Sequence, residues 1–242
     1  MILGMKIPRI GKYKSVLLIG DVHLPSEHWQ YLDFVKAVSK KYKCEVTIQM
    51  GDLEDMAAIS FHDSDCAMPS AGDELLQVIE KVQEWYKAFP KMHIIDSNHG
   101  SLVFRRLKAS GIPLTHIKPL REIYNTPLWI WHDDLFLQTK RGDVYLTHGK
   151  SSVPNKLARE IGCSAVQGHY HSLMSISYCN SVFYERFSMH VGCGVDRDSL
   201  AFAYGKNNIP QPILGCGVID ENGVPHLCKM HVDKNNRWDG LV

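Results

Sequence analysis

Five short clusters of potential metal ligands occur along the chain, and each follows an apolar, β-rich run. They are Gly20-Asp21-Val22-His23, Gly51-Asp52-Leu53-Glu54-Asp55, Ser97-Asn98-His99-Gly100, Thr147-His148-Gly149 and Gly168-His169-Tyr170-His171. These residues offer oxygen and imidazole nitrogen ligands without a thiolate. Such a set suits Mn²⁺, Fe or Zn²⁺ better than a structural zinc site or an all-oxygen calcium site.

The spacing within the clusters favours convergence on one site. In Asp-x-His and His-x-His the two ligands lie on the same side of an extended backbone. The carboxyl ends of strands are where sites form in open α/β sheets. The chain has 13 histidines, many for its 242 residues, which points toward metal or acid–base chemistry. Seven potential ligands in these clusters are enough for a binuclear centre: Asp21, His23, Asp52, Asn98, His148, His169 and His171.

Composition places the chain among ordinary globular proteins. Apolar residues make up 45% and charged residues 22%, with a net charge of +1. A near-neutral chain has no overall field that attracts nucleic acid or an anionic membrane, so any nucleic-acid contact must come from local patches. We find no internal repeat, linker, signal peptide or membrane-spanning run. We therefore expect a single domain over residues 1–242.

The seven cysteines are scattered and form no Cys-x-x-Cys pair. An odd count at irregular spacing argues against a disulfide framework and against a zinc ribbon. Reduced and mostly buried thiols are the expected state, which favours a cytoplasmic location.

Strands and helices alternate in the first half of the sequence, which then becomes richer in strands. The patterns predict helices over 28–43, 73–89, 101–110 and 152–161. They predict strands over 16–19, 45–50, 92–95, 128–131, 135–138, 144–146 and 165–166, and antiparallel strands over 172–178, 182–191, 213–219 and 225–231. Two stacked sheets with helices outside are the expected α/β architecture.

The order of the five clusters resembles the calcineurin-like metallophosphoesterase family, whose signature is Asp-x-His, Gly-Asp, Gly-Asn-His-Asp/Glu, His and Gly-His-x-His. The resemblance runs from residue 20 to residue 171, and the short chain with Leu146-Thr-His-Gly-Lys150 is similar to small members encoded by bacteriophages. It implies a four-layer α/β/β/α sandwich of two mixed sheets.

The resemblance also implies two divalent ions, of which Mn²⁺ fits best and Fe, Zn²⁺ and Ni²⁺ are alternatives. The implied ligands of one ion are Asp21, His23, Asp52 and His171, and those of the other are Asp52, Asn98, His148 and His169. A phosphoester would then be hydrolysed in line by a metal-activated hydroxide. The substrate would be a phosphodiester, with DNA or a nucleotide as candidates.

The third cluster departs from the family signature. Ser97 precedes Asn98, and Gly100 stands where the family has a carboxylate. His99 matches the histidine that protonates the leaving oxygen, and Asp55 could supply the missing charge. With Asp55 the second cluster reads Gly-Asp-x-x-Asp, as in nuclease-like members such as Mre11 and SbcD.

Other polar residues could also reach a substrate. Arg105 and Arg106 can contact phosphate in a bidentate manner, although a solvated helix face explains them as well. His190 could reach the site, but a hydrogen-bonded sheet histidine is the favoured interpretation. His62, Asp63 and Asp65 could line the site, although an ordinary polar loop is favoured.

Three functions remain open at this stage. A phosphodiesterase, with a nuclease as its most specific form, is favoured. A phosphomonoesterase or small cyclic-nucleotide phosphodiesterase is the second possibility. The third is a non-catalytic metal-binding scaffold, which Gly100 keeps open.

Overall fold

A computed structural model describes residues 7–11, 13–60, 67, 69–199 and 209–242, so His62, Asp63 and Asp65 lie outside the described residues. The strands are β1 (Arg9–Ile10), β2 (Val16–Ile19), β3 (Val46–Gln49), β4 (His93–Ile95), β5 (Ile130–His132), β6 (Leu135–Thr139), β7 (Gly142–Thr147), β8 (Ser164–Gln167), β9 (Met174–Asn180), β10 (Glu185–Val191), β11 (Gly215–Ile219) and β12 (Pro225–Lys229). The helices are α1 (Tyr31–Tyr42), α2 (Ala71–Ala88), α3 (Leu102–Ala109), α4 (Leu120–Ile123) and α5 (Lys156–Ile161).

The strands form two mixed sheets of six. Sheet I has the order β12-β11-β2-β3-β4-β5, in which β2 to β5 are parallel and β11 is antiparallel to both of its neighbours. Sheet II has the order β1-β6-β7-β8-β10-β9, in which β7, β8 and β10 are parallel. Both sheets therefore present the carboxyl ends of several parallel strands.

Strand β2 shows how the layers are held together. Leu17 and Ile19 pack with α1 and α2 in one core, whereas Val16 and Leu18 pack against sheet II in a second core. This alternation follows from the two-residue period of a strand. All four residues are at most 2% exposed, and burying such a side chain contributes about 2 kcal/mol.

Strand β7 repeats the pattern from the other sheet. Val144 and Leu146 face the space between the sheets, while Tyr145 packs against Leu157 of α5 in a third, smaller core. The layers are therefore α1 and α2, sheet I, sheet II and α5. The predicted four-layer α/β/β/α sandwich is confirmed.

Sequence patterns placed most elements within a few residues of their observed bounds. They missed β1 and α4, which have only two and four residues. The expectation that the last four strands are purely antiparallel was wrong for β10, which is parallel to β8 and antiparallel to β9. Strands β11 and β12 are antiparallel to each other, as expected, and belong to sheet I.

The described cysteines are six free thiols: Cys44, Cys163, Cys179, Cys193, Cys216 and Cys228. Within the described ranges, none of the helices combines the length and the apolar character needed to cross a membrane.

Candidate metal centre

The predicted ligands converge from both sheets. In sheet I, Asp21 and His23 follow β2, Asp52 follows β3, and Asn98 follows β4; in sheet II, His148 follows β7 and His169 and His171 follow β8. All five strands end at the same edge of the sandwich. Residues far apart in sequence therefore meet in one site.

A first group contains Asp21, His23, Asp52 and His171, whose ligand atoms all lie within 4.8 Å of one another. His23 Nε2 lies 3.1 Å from His171 Nε2 and 3.4 Å from Asp52 Oδ2. Asp21 Oδ2 lies 2.9 Å from His171 Nε2. Two carboxylates and two imidazole nitrogens thus face one small volume.

A second group contains Asp52, His148 and His169, again within 4.8 Å of one another. His148 Nε2 is 3.1 Å from Asp52 Oδ2, 2.8 Å from Asn98 Oδ1 and 3.2 Å from His169 Nδ1. Asp52 Oδ2 therefore belongs to both groups.

Hydrogen bonds behind the groups fix the ring orientations. His23 Nδ1 donates to Asp55 Oδ1 at 2.9 Å, and His148 Nδ1 donates to the carbonyl of Met50 at 2.9 Å. In each ring the remaining nitrogen, Nε2, faces the other ligands. Partners of this kind hold a metal-binding imidazole in the correct tautomer.

Three of the predicted ligands have a left-handed backbone: His23 at φ 55°, Asp52 at φ 52° and His169 at φ 68°. Non-glycine residues rarely adopt this conformation, and it costs roughly 1–3 kcal/mol at functional sites. The neighbouring Gly51 and Gly149 have no room for a side chain. A Cβ atom on them would lie 2.3 Å from His148 Nδ1 and 2.5 Å from His169 Cβ, respectively.

The carboxylates and imidazoles shift one another's pKa. Burial alone would lower the pKa of His23, but hydrogen bonds to Asp52 and Asp55 outweigh it and raise that pKa well above its usual value. For His148, burial is outweighed by Asp52, and the pKa rises to about 9. The pKa of His169 is lowered by burial and by the charge of His148. Despite burial, the histidines hold the pKa of Asp52 well below its usual value.

The donor set fits divalent metal ions. Asp21 Oδ2 is buried and accepts no hydrogen bond from the described residues, although His171 Nε2 is close to it. An unsatisfied buried carboxylate oxygen is costly unless a cation or proton compensates it. Oxygen and imidazole ligands without sulfur match Mn²⁺, Fe and Zn²⁺.

His99 and Asp55 lie beside the first group. His99 Nδ1 contacts the backbone carbonyl of Asp55 and lies 3.3 Å from Asp55 Oδ1. The backbone N–H of His99 donates to Asp52 Oδ1 at 3.1 Å. Asp55 therefore touches both His23 and His99.

The two predicted substrate residues on α3 occupy different positions. The Arg105 guanidinium donates to the carbonyl of Asn98 at 2.5 Å, so it reaches the edge of the centre. Arg106 donates to the carbonyls of Ile59 and Ser60 at 3.0 and 2.6 Å. The structure thus brings Arg105, but not Arg106, against a predicted ligand.

His190 lies inside sheet II, as expected for a sheet residue. It is 2% exposed, and its ring nitrogens approach Gln167, Ser175 and the carbonyl of Ser151 at 3.3–3.5 Å.

One contributor to the centre had no signal in the sequence. The carbonyl of Met50, which accepts from His148 Nδ1, belongs to the backbone and not to a side chain.

No family model and no curated protein matches the sequence. Solved structures do match. Vacuolar protein sorting 29 from Cryptosporidium parvum shares 15% identity, with 90% of this chain and 92% of that chain covered at a TM-score of 0.50. A novel archaeal phosphodiesterase shares 14% identity, with coverages of 89% and 99% and a TM-score of 0.49. Yfce, a phosphoesterase from E. coli, shares 14% identity, with coverages of 94% and 98% and a TM-score of 0.44.

At such identities the likeness concerns the fold alone, and the match at a TM-score of 0.50 carries it. Together with the layers and strand order described above, that match shows that the chain has the four-layer α/β/β/α sandwich fold of two mixed sheets that the resemblance implied.

Proposed function

We propose that the protein is a binuclear metal-dependent phosphoester hydrolase, and more specifically a phosphodiesterase. One ion would be held by Asp21, His23, Asp52 and His171, and the other by Asp52, Asn98, His148 and His169. The observation that carries the proposal is Asp52 Oδ2, which lies 3.4 Å from His23 Nε2 in one group and 3.1 Å from His148 Nε2 in the other.

When bound, two divalent ions polarise a phosphoryl oxygen and make water nucleophilic at neutral pH. Mn²⁺ is the preferred candidate, with Fe, Zn²⁺ and Ni²⁺ as alternatives. The protein would fix the positions of the ions through rings that are already oriented by Asp55 and Met50. Such preorganisation avoids rearranging the ligands during the reaction.

His99 is suited to donate a proton to the leaving oxygen. Burial lowers its pKa, but the hydrogen bond to Asp55 and the charge of Asp52 outweigh burial and raise it. Because Nδ1 is held by Asp55, Nε2 is the nitrogen that can carry the transferred proton. Asp55 would thus take over the orienting role that a carboxylate at position 100 has in the family signature.

The decisive experiment compares the wild type with Asp52→Asn. Protein loaded with Mn²⁺ should hydrolyse bis-p-nitrophenyl phosphate, and the variant should lose at least about a hundredfold in rate, because both ions lose a shared charged ligand. Asp33→Asn, which removes an exposed carboxylate paired with Lys36, is the control. Equal rates for wild type and Asp52→Asn would refute the hydrolase and leave the metal-binding scaffold.

Substrate comparisons then separate the versions of the proposal. A faster rate on the diester than on p-nitrophenyl phosphate supports a phosphodiesterase, and the reverse supports a phosphomonoesterase. The nuclease version is motivated by Asp55, which follows Gly51-Asp52 and reaches His99, and by Arg105 at the edge of the centre. Labelled single- and double-stranded DNA left intact while the small diester is cleaved would refute it.

A further inference from the structure

A cavity of about 340 Å³ runs along β5 and reaches Asp96, the residue that follows β4. Helices α3 and α4 form its other walls. Its lining includes the side chains of Asp96, Phe104, Leu120, Arg121, Trp131 and Asp133. The proposed hydrolase mechanism uses none of them.

The cavity is continuous with the loop that carries Asn98 and His99. Asp96 stands two residues before Asn98, and its backbone N–H donates to the carbonyl of His132 at 2.7 Å, which ties the ends of β4 and β5 together. A Cβ atom on Gly100 would lie 3.2 Å from Asp96 Oδ1. A side chain at position 100 would therefore crowd the Asp96 carboxylate, which lines the cavity and lies next to the loop of Asn98 and His99.

Aromatic surface forms one side of the cavity. Trp131 and Phe104 are half-buried, so each still has ring surface to offer. Below them, Trp129 is 1% exposed, its indole N–H donates to the carbonyl of Phe89 at 2.8 Å, and its ring centroid lies 6.1 Å from that of Trp131. A fixed aromatic wall of this kind binds planar rings by stacking.

The charges around the cavity disfavour the binding of a phosphate group there. Asp96 and Asp133 contribute two carboxylates, and Arg121 contributes one guanidinium. His132 adds no positive charge at neutral pH, because burial lowers its pKa to about 4. The lining is net negative and rich in acceptors, which favours an uncharged ring that carries N–H donors.

We infer that this cavity binds the nucleobase of a substrate whose phosphate lies at the metal centre. The base would stack on Trp131 and donate N–H groups to Asp96, a carboxylate whose two oxygens match adjacent donors such as those of guanine. The inference rests on the proposed function and narrows its substrate class to nucleoside phosphodiesters.

Binding can be tested without metal or turnover. Saturation-transfer NMR on the metal-free full-length protein should detect guanosine but not ribose. The guanosine signal should disappear in Trp131→Ala and persist in Trp29→Ala, which removes a tryptophan that is 62% exposed and lies outside the cavity lining. Asp96→Asn keeps the shape of the side chain and should weaken guanosine binding even if Trp131→Ala does not fold.

Kinetics gives the second readout. Guanosine 5′-(p-nitrophenyl phosphate) and ethyl p-nitrophenyl phosphate share a leaving group, so they differ only in the base and sugar. We expect kcat/KM to be about tenfold or more higher for the guanosine ester, from base stacking. Trp131→Ala should remove this advantage and leave the ethyl ester unchanged.

Failure of this inference is distinct from failure of the hydrolase. Hydrolysis of the ethyl ester without guanosine binding would overturn the nucleobase site alone. The same conclusion would follow if p-nitrophenol, but not guanosine, bound in a manner that depends on Trp131. Guanosine binding that depends on Trp131, without hydrolysis of either ester, would support the cavity and overturn the hydrolase.

Discussion

Histidines occur in two kinds of environment in this protein. At the strand ends, His23 and His148 face the carboxylates Asp52 and Asp55, which outweigh burial and raise their pKa. Within the strands, His132 has His93 as its partner at 2.9 Å, and the partners of His190 among the described residues are neutral. Burial lowers the pKa of all three of these rings.

The difference teaches that buried imidazoles alone do not mark a cation site. What distinguishes the strand ends is a concentration of negative charge that already favours cationic rings and would equally favour metal ions. His169 shows the limit of this rule. It lies in the centre, but its pKa is lowered, because burial and the neighbouring charge of His148 dominate.

The largest expected effect separates the two environments by their response to metal. Mn²⁺ at a hundred times its dissociation constant should stabilise the wild type by about 2.7 kcal/mol, or roughly 5–10 °C in Tm. His148→Gln should lose most of this gain, and His190→Gln should keep it, although both replace a buried histidine. Thermal melts with Mn²⁺ and with EDTA measure the gain in Tm. Equal gains in the two variants would show that the strand-end and in-strand histidines do not differ in metal binding.

Removing the carboxylate behind the rings should have the next largest effect. Asp55→Asn weakens the contacts to His23 Nδ1 and His99 Nδ1 and should lower metal affinity or kcat/KM by about 10–100-fold. The matched control is Asp220→Asn, which disturbs an Asp–His pair of 2.9 Å outside the centre. Titration calorimetry and the pH profile of hydrolysis are the measurements. An unchanged profile in Asp55→Asn would exclude the orienting role.

Backbone packing around the strand-end rings gives a third test. Gly149→Ala would place a Cβ atom 2.5 Å from His169 Cβ and should reduce the free energy of unfolding by about 1–3 kcal/mol. Gly72→Ala, on α2, has its nearest contact at 3.9 Å and should stabilise the protein by about 0.4–1 kcal/mol. Urea unfolding of both variants measures these changes in the free energy of unfolding. A neutral Gly149→Ala would show that the ring has room to move.

The smallest effect concerns pH and the in-strand pair. The pKa of His132 is about 4 in the folded protein, below its unfolded value of about 6.5. The unfolded chain therefore binds more protons between these values. The contribution of His132 to the unfolding free energy is complete above pH 6.5 and is lost as pH falls through 4. Metal-free His132→Gln should lose less stability than the wild type over this range. The measurement is the free energy of unfolding of both proteins as a function of pH. Parallel pH dependences would contradict the lowered pKa of His132.

Local sequence was sufficient for much of the fold and for the strand ends at which the predicted ligands lie. Short β-rich runs ending in Asp21, Asp52 and His148 predicted both the strands and their polar ends, because side-chain types and turn residues act over a few positions. The order of the five motifs then supplied the four-layer architecture by resemblance.

Long-range pairing was beyond the sequence patterns. Strands β11 and β12 join sheet I because β11 pairs with β2, about two hundred residues earlier, and nothing in the local pattern indicates that choice. The left-handed backbone of Asp52 and the cavity beside Asp96 likewise depend on tertiary packing. Patterns of two- or four-residue period carry no information about such contacts.

The centre draws on both sheets, and that has a consequence for the order of assembly during synthesis. His23 and His171, whose Nε2 atoms are 3.1 Å apart, are separated by 148 residues. A nascent chain that already contains β2 to β4 and the loop after β4 still lacks three of the seven predicted ligands, and two of these, His169 and His171, appear only after β8. We expect metal capture to be among the last folding steps, so truncated chains ending before residue 169 should bind Mn²⁺ no better than Asp52→Asn. A bound ion would then link two sheets whose strands are synthesised at different times.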